Sequence, residues 1–105
     1  MVELMYVRVW EYQVEVGKVN AFLAAYRADG AWAQLFERAD GYVGTELFGD
    51  VGRAGRFVTI DKWLDVASWE AFLVRWGVDY CALDQKLHGL AAGGQAVIEG
   101  AAAGA

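Results

Sequence analysis

Two hydrophobic periods alternate along this 105-residue chain, and each change of period marks a new element. Residues 4–14, LMYVRVWEYQV, repeat every second position. Leu4, Tyr6, Arg8, Trp10 and Tyr12 share one face of a strand, with Met5, Val7, Val9, Glu11 and Gln13 on the other. After a turn at Gly17, Val19, Phe22, Leu23 and Tyr26 fall at i, i+3, i+4 and i+7, the apolar stripe of a helix. Asp29-Gly30 ends it, and Trp32, Leu35 and Phe36 stripe a second short helix over 31–38 that stops at Asp40-Gly41. Residues 42–50 return to strand period, with Tyr42, Gly44, Glu46 and Phe48 opposite Val43, Thr45 and Leu47. The glycines of 49–55 have the wrong spacing for a phosphate loop and join two strands, so they read as a hairpin.

Residues 56–76 carry both periods, and the rest of the chain is organised around them. Phe57, Thr59, Asp61 and Trp63 alternate with Val58, Ile60 and Leu64 in a strand over 56–64. Trp69, Phe72, Leu73 and Trp76 then take helical spacing, with Asp65 or Ser68 placed to cap the helix start. The stripe resumes through Tyr80, Leu83, Leu87 and Leu90, residues 95–99 form a short last strand, and 100–105 is a small-residue tail. Strand, helix, strand, strand, helix, strand is the ferredoxin-like α+β arrangement: an antiparallel sheet in order 4-1-3-2, with helices on one face. The expected organisation is a single domain over 1–100 and a flexible tail over 101–105. Both central strands are apolar on both faces, so the face without helices needs a second cover. A homodimer packed sheet on sheet supplies it.

Composition narrows the classes. Hydrophobic residues make up 57% of the chain, with five Trp, five Tyr and five Phe, far from the disordered regime. No apolar run approaches the roughly 20 residues of a membrane span, and no signal pattern opens the chain, so a cytoplasmic location without membrane contact is expected. A net charge of −5 with no basic run argues against nucleic acid. Cys81 is the single cysteine, expected as a small buried hydrophobe, and one Cys with one His does not make a transition-metal site. No metal or other cofactor is expected.

The candidate chemistry lies where charge meets the aromatic faces. Arg8 sits mid-strand between Tyr6 and Trp10 and needs a carboxylate partner or a cavity, with Asp61, Glu46 and Glu99 as candidates. Asp61 shares a face with Trp63 and is either a general base or that partner. His88, the only histidine, is a candidate acid or base, or stands in the last helical turn where a cation suits the helix dipole. Trp63 ends a central strand where a pocket mouth is expected.

The chain resembles the antibiotic-biosynthesis-monooxygenase-like family of the dimeric α+β barrel superfamily. The resemblance rests on VWEYQV at 9–14, YRADGAWAQLF at 26–36, GYVGTELF at 41–48, TIDKW at 59–63, SWEAF at 68–72 and DYCALD at 79–84. It implies an oxygenase without metal or flavin, acting on an electron-rich aromatic molecule bound between sheet and helices. The haem-degrading branch carries an asparagine on the first strand and a histidine on the second helix; the only asparagine here is Asn20 and the 69–76 segment has no histidine, which disfavours haem degradation. On this reading Arg8, Asp61 and His88 are the candidate catalytic residues, and Trp10, Tyr26, Trp32, Trp63, Trp76 and Tyr80 the candidate walls for a hydrophobic aromatic substrate. The alternatives are a pocket that binds or cyclises a polyketide-like molecule without oxygen, and a non-catalytic dimeric module.

Overall fold

The computed structural model describes residues 5–102, without the side chains of 92–96 and 101–102. Leu4 and the end of the expected tail, 103–105, lie outside the described residues. Strand β1 (Met5–Gln13) runs through a 3-10 turn (Val16–Lys18) into α1 (Val19–Tyr26) and α2 (Ala31–Phe36). The hairpin β2 (Tyr42–Gly49) and β3 (Arg56–Trp63) follows, then α3 (Val66–Lys86) and β4 (Ala92–Ala102). The sheet order is β2-β3-β1-β4, with every pairing antiparallel, as the ferredoxin-like reading expects. Among the described residues, no helix is long and apolar enough to cross a membrane.

Register decides what the sheet presents. Cross-strand partners share a face in an antiparallel pair, and β1 and β3 pair Tyr6 with Trp63, Arg8 with Asp61, Trp10 with Thr59 and Tyr12 with Phe57. These eight residues form one face, which the helices cover. Asp65 starts α3 by accepting from the Ser68 amide at 2.8 Å and the Ser68 hydroxyl at 2.7 Å, bonds that hold its carboxyl below its ordinary pKa. Gly41 lets the chain entering β2 lie against that turn, since a Cβ there would overlap the Ser68 side chain. The long helix carries non-helical dihedrals at Trp76 (φ −121°, ψ 22°), just before Gly77, so the two stripes belong to one bent helix.

The core fills the space under α2 and α3. Phe22, Trp63 and Phe72 are its largest fully buried side chains. Trp63 is 0% exposed, with the rings of Phe36, Tyr42, Trp69 and Phe72 centred 5.3–5.4 Å away. The opposite sheet face carries Val7, Val9, Val58 and Ile60 at its centre, half-buried in the single chain. Phe48 (52% exposed) and Ile98 (54%) continue it outward, and the ion pairs Arg56–Glu11 at 2.7 Å and Lys62–Glu46 at 3.8 Å flank it.

Three details depart from the sequence reading. A register shift between Tyr42 and Gly44 puts Tyr42 on the Thr45 side of β2, where strict alternation had placed the two on opposite faces. Cys81, expected in the core, is exposed because it lies one residue round α3 from Tyr80 on the inner stripe. Strand β4 runs 11 residues rather than five, pairing its small residues with β1 through the backbone.

Candidate active site

Between the covered sheet face and the helices lies a cavity of about 350 Å³. The sheet floor is Arg8, Trp10 and Tyr12 from β1, Thr45 from β2, and Thr59 and Asp61 from β3. Tyr26 of α1, Trp32 and Phe36 of α2, and Trp69, Tyr80 and Asp84 of α3 form the walls, with Leu87, His88, Gly89 and Ala91 at the rim. The floor is polar and the walls aromatic, a site that takes flat apolar molecules and presents charge at one surface.

Arg8 is anchored. Its side chain is 11% exposed, and its Nη1 donates to Glu99 Oε1 at 2.8 Å and to the Tyr6 hydroxyl at 3.2 Å. The guanidinium lies 4.1 Å from the Trp69 ring centroid, a cation–π contact that sets the plane of the fork. Burial alone would lower the Arg8 pKa, but the Tyr6 hydrogen bond and the Glu99 charge hold it above its ordinary value. The carboxylate partner is therefore Glu99 on β4, one of the three candidates offered by the sequence.

Asp61, opposite Arg8 on β3, makes no ion pair among the described residues. Its Oδ1 accepts from the Thr45 hydroxyl at 2.7 Å. Withdrawal from water pushes its pKa up to about 6, against the opposing pull of the Thr45 bond and the Arg8 charge. It is thus ionised at neutrality and a stronger proton acceptor than a surface carboxylate. The hydroxyls of Tyr12, Tyr26 and Tyr80 are raised by burial and remain neutral donors. The Trp32 indole N–H is buried and has no hydrogen-bond partner among the described residues.

Of the residues singled out from sequence, Arg8, Asp61, His88, Trp10, Tyr26, Trp32 and Tyr80 all line this one cavity. His88 stands exposed at the rim, in the turn where its amide bonds the Gln85 carbonyl at 3.3 Å. Two expected wall residues lie elsewhere. Trp63 is enclosed in the core by rings set edge-on or tilted around it, and Trp76 packs on Phe72 beneath the bend in α3. Tyr12, Thr59 and Trp69 were not named for the site, although the first two sit on the alternation face that pointed to Arg8 and Asp61. Trp69 lies on the apolar stripe of its helix and packs in the core, and it lines the cavity as well. Among the described residues, no group of three or more His, Cys, Asp or Glu could hold a metal ion.

Residues 5–75 match the antibiotic biosynthesis monooxygenase family. No curated protein matches the chain. Among solved structures, SnoaB, a cofactor-independent oxygenase from Streptomyces nogalater, superposes with a TM-score of 0.62 at 17% identity, covering 97% of this chain and 92% of that one. A protein from Shewanella oneidensis gives 0.66 at 19% identity over 97% and 96% of the two chains. A nipsnap family protein of unknown function from Agrobacterium tumefaciens gives 0.66 at 16% identity over 99% and 95%. At these identities the structures establish a shared fold, and the family match, which spans two strands, two short helices, the β3 strand and the first half of α3, establishes kinship. The chain belongs to the antibiotic biosynthesis monooxygenase family.

Proposed function

We propose that the protein is a monooxygenase without cofactor, acting on an electron-rich aromatic molecule with an acidic C–H or O–H group, such as an anthrone. The observation that carries this reading is Asp61: a carboxylate with a raised pKa on the floor of an aromatic pocket, directly across the strand pair from a fixed cation. In an anthrone, Asp61 takes a proton from the CH2 group and leaves a delocalised carbanion whose oxygen-centred charge the Arg8 guanidinium faces. The anion transfers an electron to O2, and the radical pair combines to form a C–O bond. The resulting peroxide anion takes the proton back from Asp61. Removal of the second C–H proton then breaks the O–O bond, leaving a carbonyl on the substrate and releasing water. One oxygen atom enters the product, the other leaves as water, and the substrate supplies every electron.

The energetics are reasonable. Moving a proton from an acid of pKa about 10 to a carboxylate near 6 is uphill by about 5 kcal/mol, which a cation beside the new charge reduces. The aromatic walls exclude water that would otherwise protonate the carbanion. Oxygen uptake with an anthrone or a quinol tests the reaction. One O2 consumed per product, with activity falling as the pH drops below about 6, is expected. Saturable binding of the same molecule without uptake would transfer the pocket to the binding or cyclising alternative.

Arg8 separates a structural from a chemical role. Arg8→Met keeps much of the packing on Trp69 and releases a half-exposed glutamate, so the fold should persist. If the guanidinium stabilises the substrate anion, turnover falls by two or more orders of magnitude, about 3 kcal/mol, in a folded protein. Turnover that survives once stability is corrected for would reduce Arg8 to a structural ion.

The same reading includes a homodimer built on the uncovered sheet face. Val7, Val9, Val58, Ile60, Phe48 and Ile98 make an apolar centre with the flanking ion pairs as a polar rim, the composition of a buried interface. Light scattering at micromolar concentration should return twice the chain mass of 11.5 kDa. A stable species of one chain mass would overturn it.

A further inference from the structure

Asp61 is held by a chain of two hydroxyls. Thr45 Oγ1 donates to Asp61 Oδ1 at 2.7 Å, and Tyr42 Oη lies 2.5 Å from Thr45 Oγ1. A threonine hydroxyl has a single proton. Once that proton points to Asp61, the proton between Thr45 and Tyr42 must be the tyrosine's. The chain therefore has a direction, Tyr42 to Thr45 to Asp61, and each bond polarises the next. The parts are rigidly placed. Thr45 is buried, and the Tyr42 ring is seated between Phe36 and Trp63 at centroid distances of 5.6 and 5.3 Å. The register shift at the start of β2 is what brings the tyrosine to the Thr45 side of the strand. A bulge that re-aims a side chain toward a carboxylate is a feature with a use.

Only one carboxylate oxygen is engaged in this way. Among the described residues, Oδ1 accepts the Thr45 bond and no group donates to Oδ2, while the residue itself lines the cavity. We propose that the Tyr42–Thr45 pair is the positioning device of the base: it ties Asp61 to the protein through Oδ1 and leaves Oδ2 as the oxygen that takes the substrate proton. This rests on Asp61 being the base.

The charged and titratable groups around Asp61 fit that role. Arg8 and Tyr12 face it from β1, Tyr42 from β2 and Tyr80 from α3, and Glu99 beyond Arg8 absorbs part of the cation's field. The three tyrosines stay neutral, Tyr42 with its hydroxyl pushed up to about 12. Thr45 is then the neutral donor bonded directly to the carboxylate, and the strongest of the influences opposing burial. Without it burial is less opposed, so the carboxyl holds its proton more tightly, and the bond that fixes its χ2 angle is gone.

The test measures Asp61 directly as well as through turnover. The carboxyl carbon of Asp61 is titrated by NMR in the wild type, Thr45→Val, Thr45→Ser and Tyr42→Phe, and the pH profile of kcat/KM is recorded for each. Thr45→Val keeps the shape and removes the hydroxyl. Its Asp61 midpoint should rise by about one pH unit, with the acid limb of kcat/KM moving up by the same amount. At a pH near 7, turnover should fall roughly tenfold beyond what protonation accounts for, because the freed carboxylate loses its orientation. Thr45→Ser should restore both quantities. Tyr42→Phe, which leaves the ring in place, should give a smaller rise in the same direction. An unmoved Asp61 midpoint in both Thr45→Val and Tyr42→Phe overturns the positioning role, whatever Asp61 does in catalysis. A moved midpoint with an unmoved pH profile shows instead that Asp61 is not the base, and the proposed reaction fails while the tether stands.

Discussion

Asp61→Asn is expected to lower turnover by about a thousandfold, within the 10²–10⁴ range for losing a general base, while making the protein more stable at neutral pH. The two effects have one cause. In the unfolded chain this carboxyl titrates near its ordinary 3.8, and in the native pocket near 6. The native state therefore binds more protons than the unfolded state between those values, and stability falls as pH rises from about 4 to about 6. Above that window the charged form is fully present in both states, and the native protein carries a constant penalty of up to about 3 kcal/mol at 1.36 kcal/mol per pH unit. Asparagine keeps an oxygen to accept the Thr45 bond and carries no charge, so it removes the penalty. Urea unfolding at about pH 7 should show the variant more stable by about 1–3 kcal/mol, and at about pH 4 the two proteins should coincide. A variant that is less stable at both pH values would mean that Asp61 is held by its contacts rather than tolerated for its chemistry. A base that destabilises its own fold is the expected signature of a functional residue.

How much of this was legible beforehand varies by residue and by the kind of order involved. The periods of 4–14 and 56–64 carried the sheet, because successive side chains of a strand point to opposite faces and each face keeps its own character. Strand order narrowed the partner of Arg8 to Asp61 or Glu99, since β3 and β4 both neighbour the central strand β1, and only the geometry chooses Glu99. The same alternation brought Arg8, Trp10 and Asp61 to one face, and Tyr12 and Thr59 were on it without being singled out. Signals failed where structure departs from strict periodicity. The shift in β2 turned Tyr42 toward Thr45, and no pattern of apolar residues marks a one-residue bulge. The first half of β4 pairs through its backbone, so its alanines and glycines gave no period to read. Trp63 misled for a different reason: its position at a strand end suggested a pocket mouth, but the end of β3 lies under α2 and the first turns of α3, where Phe36, Trp69 and Phe72 close over it. Trp69 is marked by its helical stripe as a packing residue, and that spacing carries no sign that the same ring also faces the cavity.

Trp63→Ala is expected to cost about 3–5 kcal/mol, a large share of the 5–15 kcal/mol by which a domain of this size is stable. The ring is 0% exposed and lies within 5.4 Å, centroid to centroid, of four other aromatic rings, so its removal leaves a void those neighbours cannot fill without breaking their own packing. In thermal terms this is a fall in Tm on the order of 15–30 °C. Trp63→Phe should behave differently. The Trp63 indole N–H is buried with no hydrogen-bond partner among the described residues, so the native core already carries the desolvation of that donor. Phenylalanine gives up part of the ring volume and removes the unpaired N–H, and the two changes offset one another, leaving a loss of about 1–2 kcal/mol. Ligand affinity discriminates further. Trp63 touches no part of the cavity, so Trp63→Phe should bind an anthrone or quinol as the wild type does at temperatures where both are folded. Affinity lost tenfold in a fully folded Trp63→Phe protein would return this tryptophan to the pocket wall. An alanine variant within about 1 kcal/mol of wild type would remove it from the core.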